Sequence, residues 1–341
     1  MNNNKKNINF YVAALLNALP LAILVGLYVI LDPFKVVRKY DTYYVNDGKP
    51  CAFLNNDYVS TSTYDRWKES CHYDSFIWGN SMSRLFRIED WKTHLPEGSS
   101  CLHFDASGEP LYGIWKKVMY VDKQGSDIRN VMVVMTSVTL EGDCPNEGHI
   151  YMISPQLEDN KNFWKFQKES FMAFCTPKFF YAYLCLQITG EIPEYAKKQN
   201  LFLLSKDTYD NITNEGTPEI VENKIKEGTY YTQEFQNEFN YTDEQGVEVP
   251  YIKEEQILML RDIKKVFDKH NTDYKIVICP VIGSNSINPN DYDVLAEIFG
   301  EDNVFDFTHR DSFSLDYTNF YMDGHIRPKG TKVIMDRIYG E

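Results

Sequence analysis

Residues 131–135 read VMVVM, five apolar residues in a row with no polar alternate. A strand with one wet face alternates, so an unbroken apolar run calls for a strand covered on both faces, as in a parallel sheet between helices. The same rhythm extends outward in both directions. Upstream lie the strand-like DSFIW (74–78) and CLHF (101–104); downstream lie YKIVIC (274–279), ending at Pro280, and a short run over 304–307. Helical segments are predicted between them over 82–94, 110–121, 254–270, 291–299 and 329–339. Within 254–270, Ile257, Leu258, Leu260, Ile263 and Phe267 recur at helical spacing. Strands alternating with helices predict an α/β domain over 74–341 with three layers and a parallel sheet. The rhythm stops over 141–250, where aromatic clusters (FWKF, FFYAYLCL) and acidic loops predict a helical or irregular insertion subdomain.

The N-terminal flank is of another kind. FYVAALLNALPLAILVGLYVIL, residues 10–31, carries no charge over 22 residues, and about 20 apolar residues span a bilayer as a helix. A signal peptide is the rival reading, with Lys5 and Lys6 as its basic start, but no small-x-small cleavage pattern precedes Asp32. Residues 1–33 are therefore expected to form an uncleaved transmembrane anchor. Lys35, Arg38 and Lys39 balance Lys5 and Lys6, so charge alone does not orient it. Residues 34–73, polar and Tyr-rich with a turn at Asp47-Gly48, are expected to be an irregular lead-in. The net charge of −14 among 341 residues, without a Lys/Arg cluster, excludes nucleic acid as a partner. Seven cysteines show no CxxC, which speaks against structural zinc. In an oxidising compartment Cys51 with Cys71, and Cys175 with Cys185, are candidates for pairing.

Three places carry the chemistry. Gly79-Asn80-Ser81 follows the first strand, where Ser81 either caps a helix or acts as a nucleophile. A serine hydroxyl attacks only when a base takes its proton, usually a histidine oriented by a carboxylate. The stretch NFYMDGHIRPKGT (319–331) offers such a pair in Asp323 and His325, though a solvated surface turn reads equally well. Asp105-Ala106-Ser107-Gly108 follows the second strand, where a turn glycine can aim a backbone N–H at a developing oxyanion.

In this order the pieces resemble the SGNH (GDSL-type) serine hydrolases, over roughly residues 74–140 and 255–340. Gly79-Asn80-Ser81 is similar to the nucleophile block, with Asn in place of Asp; Ser107-Gly108 is similar to the second block and Asp323-Gly324-His325 to the last. The sequence departs from the family at the third block, Met135-Thr136-Ser137-Val138, which lacks Gly-x-Asn, and at the last, which is D-x-H rather than D-x-x-H. The resemblance implies a flavodoxin-like SGNH fold, Ser81 as nucleophile, His325 as base and Asp323 as its orienter, with Asp316 as a stand-in. It implies an oxyanion site from the N–H groups of Ser81 and Gly108, with Thr136 or Ser137 in place of the missing asparagine. Such chemistry needs no metal or cofactor. An anchor ahead of an SGNH-like domain further resembles single-pass proteins of bacterial cell-envelope acylation. It implies an extracytoplasmic domain, a glycan or acyl-ester substrate and a multi-spanning membrane acyltransferase as partner. The alternative is a non-catalytic SGNH-shaped scaffold in the same envelope. The aromatics Trp164, Phe179, Phe180 and Tyr181 of the insertion are read either as its own core or as a surface for sugars or a partner.

Overall fold

VMVVM forms the middle strand of a five-stranded parallel sheet. The computed structural model describes residues 2–45, 48–203 and 208–340, with side chains from residue 12 onward except that of residue 15; Asp47 of the expected turn lies outside the described residues. In chain order the sheet strands are β1 (Ser75–Gly79), β2 (Cys101–Asp105), β3 (Asn130–Met135), β4 (Asp273–Ile278) and β5 (Val304–Asp306). Their spatial order is β2-β1-β3-β4-β5, all parallel, the 2-1-3-4-5 order of flavodoxin-like doubly wound sheets.

Both faces of the sheet are apolar because helices cover both. On one face Phe76, Trp78, Val131, Val133 and Ile276 pack against α2 (Asn56–Cys71), α3 (Leu111–Gln124), α7 (Glu254–His270) and α8 (Pro289–Phe299). On the other, Ile77, Met132, Val134 and Val277 meet α9 (Pro328–Tyr339) and the segment after β1. Adjacent residues of one strand thus serve opposite layers, which is why VMVVM has no polar alternate, while the buried His103 of β2 is held by the Phe86 carbonyl at 2.7 Å.

Gly79 ends β1 where no other residue fits. Its φ is +151°, and a Cβ there would lie 1.9 Å from the Val134 carbonyl oxygen of β3. Gly79→Ala is expected to cost about 3 kcal/mol or more, since overlap with backbone adds to the strained φ; the denaturation midpoint of the variant measures it.

Two predicted elements differ. Residues 34–73 are not irregular throughout: α2 is a 16-residue helix whose Tyr64 enters the sheet core. Its buried face is largely small and polar (Ser60, Thr61, Thr63), and Ser60 and Thr61 donate to the Asp57 carbonyl, so the usual apolar stripe is missing. The helix predicted over 82–94 is broken into a 3₁₀ turn (Ser83–Leu85), one α turn (Ile88–Trp91) and another 3₁₀ turn (Lys92–His94). The Ile88 N–H donates to the Glu215 carboxylate at 2.8 Å instead of to a helical carbonyl.

The insertion holds α4 (Phe163–Phe174), α5 (Pro177–Thr189) and α6 (Glu219–Lys226), with a small hairpin of Thr208–Asp210 and Glu215–Thr217. Helix α1 (Asn2–Leu31) is long and apolar enough over Val12–Leu31 to cross a membrane. Its last turn packs into a cluster with Phe166, Phe174, Phe179 and Phe202 of the insertion. The aromatics divide accordingly: Phe179 is core, Phe180 is half-buried, and Trp164 and Tyr181 face solvent. None of the seven cysteines is in a disulfide, and only Cys101 and Cys279 are buried.

Candidate active site

Ser81 sits at the carboxyl edge of the sheet, the rim where doubly wound folds gather function. The capping duty belongs to its neighbour Asn80. Its Oδ1 accepts the Met82 N–H at 2.9 Å, and its carbonyl accepts both the N–H and the hydroxyl of Ser83. Asn80 Nδ2 donates to Thr139 Oγ1 (2.9 Å) and Thr136 Oγ1 (3.2 Å). The third block therefore holds the turn that presents Ser81. Thr136 is engaged in the same turn: its N–H donates to Thr139 Oγ1 at 3.1 Å, and its hydroxyl lies 3.2 Å from that oxygen. Ser137 is buried at the start of the adjoining 3₁₀ turn.

The distant C-terminal loop meets Ser81 across one cavity of about 390 Å³, lined by Ser81, Arg84, Asp323 and His325 among others. The His325 Nδ1 lies 3.1 Å from Asp323 Oδ1, which also accepts the His325 N–H at 3.2 Å. Gly324 makes this possible: at φ +87° it turns the chain so that its own N–H meets the Tyr321 carbonyl and Asp323 folds back on His325. Desolvation pushes the Asp323 carboxyl up, but the hydrogen bond and charge of His325 outweigh it and hold the group below the usual carboxylate range. With Nδ1 facing Asp323, Nε2 is the nitrogen left to exchange protons. No hydrogen bond joins Ser81 to His325 among the described residues; such contacts are often loose without substrate. Asp316, the sequence stand-in, accepts from Thr318 (2.7 Å to its hydroxyl) and lies 3.5 Å from Lys329, so Asp323 is the carboxylate that meets His325.

The second block is displaced from expectation. Gly108 has φ +58° as a turn glycine, but it is exposed, its carbonyl accepts from Asn146, and it does not line the cavity. Ser107 does reach the site indirectly, accepting from the Arg84 guanidinium at 3.3 Å, while Arg84 also faces Asp105 at 3.7 Å. Arg84 is the cationic donor beside Ser81 that sequence reasoning missed. Its signal was its place three residues after Ser81, on a turn that brings both to one cavity.

Much of the remaining wall comes from the insertion: Leu203, Gly216 to Pro218, Ile220, Val221 and Tyr230. These also grip the histidine loop. Glu222 of α6 takes a two-pronged contact from Arg327 (2.9 and 2.6 Å) and the Tyr321 hydroxyl (2.6 Å), and the Tyr230 hydroxyl accepts the Met322 N–H at 3.0 Å. Burial opposes the Glu222 charge, yet these donors hold its carboxyl below the usual range. No protein-family model and no curated protein matches the chain.

Proposed function

We propose that this chain is a membrane-anchored serine O-acyltransferase or esterase of SGNH type, working outside the cytoplasm at a bacterial cell membrane. The observation that carries the reading is the convergence of Ser81, His325 and Asp323 on one cavity from sequence positions more than 240 residues apart. In this mechanism the Ser81 hydroxyl attacks the acyl carbonyl and gives its proton to His325 Nε2, whose charge Asp323 stabilises. The oxyanion is held by the Ser81 N–H and the Arg84 guanidinium. His325 returns the proton to the departing alkoxide, leaving an ester on Ser81. A glycan hydroxyl or water, deprotonated by His325, then attacks that ester and frees the serine. The substrate is an acyl group of a cell-envelope glycan, and a multi-spanning acyltransferase is the partner that supplies or receives it.

The second reading is a non-catalytic scaffold of the same shape, favoured by Thr136 and Gly108 standing apart from the cavity. A fluorophosphonate probe separates the two. Covalent labelling of the full chain, mapped to Ser81 by peptide mass spectrometry, is expected; absence of an adduct on Ser81 in folded protein favours the scaffold.

Asp323 is two-thirds exposed, so solvent screens its pairing with His325 and limits its worth to about 1 kcal/mol. Asp323→Asn is accordingly expected to lower turnover of an aryl ester by roughly fivefold, well short of the loss for a buried orienting carboxylate. Steady-state kcat of the variant checks it.

A further inference from the structure

A membrane-spanning helix has a length that fixes depth. Val12–Leu31 is 20 residues, which at 1.5 Å per residue covers about 30 Å, the thickness of a hydrocarbon core with nothing to spare. Tyr28 therefore sits one turn from the edge, at the level where the acyl region gives way to headgroups. Yet Tyr28 is buried by protein. Its ring meets Phe171 at 5.5 Å and Phe174 at 5.7 Å, and its hydroxyl donates to Gln167 at 3.3 Å, all on α4. The Tyr183 hydroxyl of α5 reaches the Leu31 carbonyl, and Phe34 stacks on Phe179 at 5.1 Å. Asp32 locks the exit by accepting the N–H groups of Val36, Val37 and Arg38. Helices α4 and α5 are thus bolted to α1 at headgroup depth.

Their exposed residues suit that depth. Trp164 is 81% exposed and stands seven residues, or two helical turns, before Phe171, on the face that α4 turns to α1. Tyr181 (60%) and Ile188 (81%) are likewise seven apart on α5, and Met172 is exposed beside Phe171. Between residues 160 and 180 four lysines (161, 165, 168, 178) stand against one acid, Glu169, in a chain of net charge −14, with Glu147 from outside the segment 3.5 Å from Lys165. Aromatic and aliphatic side chains interleaved with lysine are the composition of a surface that lies in a membrane interface.

We infer that α4 and α5 form a second membrane-binding element. Trp164, Met172, Tyr181 and Ile188 enter the headgroup region of the leaflet that α1 leaves, and the lysines meet anionic lipid. This rests on the reading of α1 as a membrane span. It fixes the orientation of the domain, because two separate elements then touch one plane. It also brings the cavity near lipid: the wall residue Leu203 follows Phe202, which stacks on Phe179 at 5.2 Å, one ring contact from Phe34 at the helix exit.

The test uses tryptophan emission from the full chain in phosphatidylcholine vesicles containing phosphatidylglycerol, with a nitroxide on the lipid near the headgroup. Trp78 and Trp91 are fully buried and Trp67 and Trp115 partly so, so the emission lost in Trp164→Phe reports Trp164. That component is expected to lose most of its intensity to the labelled lipid, and less when phosphatidylglycerol is replaced by phosphatidylcholine. A chain that floats with the vesicles while its Trp164 component ignores the label overturns the inference and leaves the anchor standing. Equal quenching in both lipids overturns the role given to the lysines. A chain that does not float overturns the span and the inference together.

Discussion

Ser81→Ala is expected to abolish fluorophosphonate labelling and to lower hydrolysis of an aryl acetate by about 10⁴-fold or more. Ser81 shares its cavity with His325, whose Nδ1 faces the Asp323 carboxylate. His325→Ala is expected to lose as much, and the double variant no more than either. In the proposed mechanism Ser81 and His325 act as one unit of nucleophile and base, so removing the second partner after the first has nothing left to remove. Arg84 and the Ser81 N–H remain in both variants, and under the proposed mechanism they set the residual rate. Losses that multiply in the double variant, or a Ser81→Ala chain with wild-type kinetics, would place the hydrolysis elsewhere. Comparing the three variants by kcat in the same detergent or vesicles supplies the measurement.

The sheet was legible because burial on two faces writes itself as runs such as VMVVM and YKIVIC, and the five predicted strands differ from those observed by no more than a residue at an end. What local pattern misses is tertiary capture. The helix expected after Ser81 is interrupted because Glu215, from a hairpin 127 residues on, takes the Ile88 N–H. Helix α2 was hidden for the opposite reason: its inward face uses Ser and Thr that satisfy themselves on the helix's own carbonyls, so it carries no apolar period.

The site divides the same way. Ser81, Asp323 and His325 are residues whose chemistry is visible in a short motif, and the structure lines one cavity with all three. Gly108 and Thr136 were inferred from where they follow strands, but position after a strand does not fix direction. Gly108 opens to solvent and Thr136 turns to Asn80. The wall from Leu203 to Tyr230 had no motif at all, because its residues gain their role only when the insertion folds over the rim. Through Glu222 and Tyr230 that same segment clamps the histidine loop, so the insertion shapes the cavity and holds the loop of His325 at once.

Lys117→Met is expected to be the most destabilising single change, at about 3–5 kcal/mol. The Lys117 ammonium is fully buried between α3, α2 and the end of β2. It lies 2.7 Å from Glu109, 3.7 Å from Asp57, and donates to the Phe104 carbonyl at 3.1 Å. Burial works against its charge, but Asp57 and Glu109 outweigh that and keep it protonated. Burial pushes both carboxyls up, Glu109 to about 8. The folded chain therefore keeps a proton on Glu109 that the unfolded chain releases near its ordinary value, so this group's stabilisation is full at low pH and is lost as pH rises towards about 8. Methionine removes the ammonium that favours the ionised form, so the abandoned carboxyls hold their protons more tightly and the window extends upward. The deficit of Lys117→Met is thus expected to be larger at pH 8 than at pH 5, as read from denaturant midpoints at the two pH values. A purely steric defect would give the same deficit at both. Glu109 follows directly on Ser107-Gly108, and Ser107 accepts from Arg84, so the buried triad pins the loop that holds Arg84 at the cavity wall. At pH 8 the variant is expected to lose aryl-ester turnover before it unfolds, as the loop loosens and Arg84 with it.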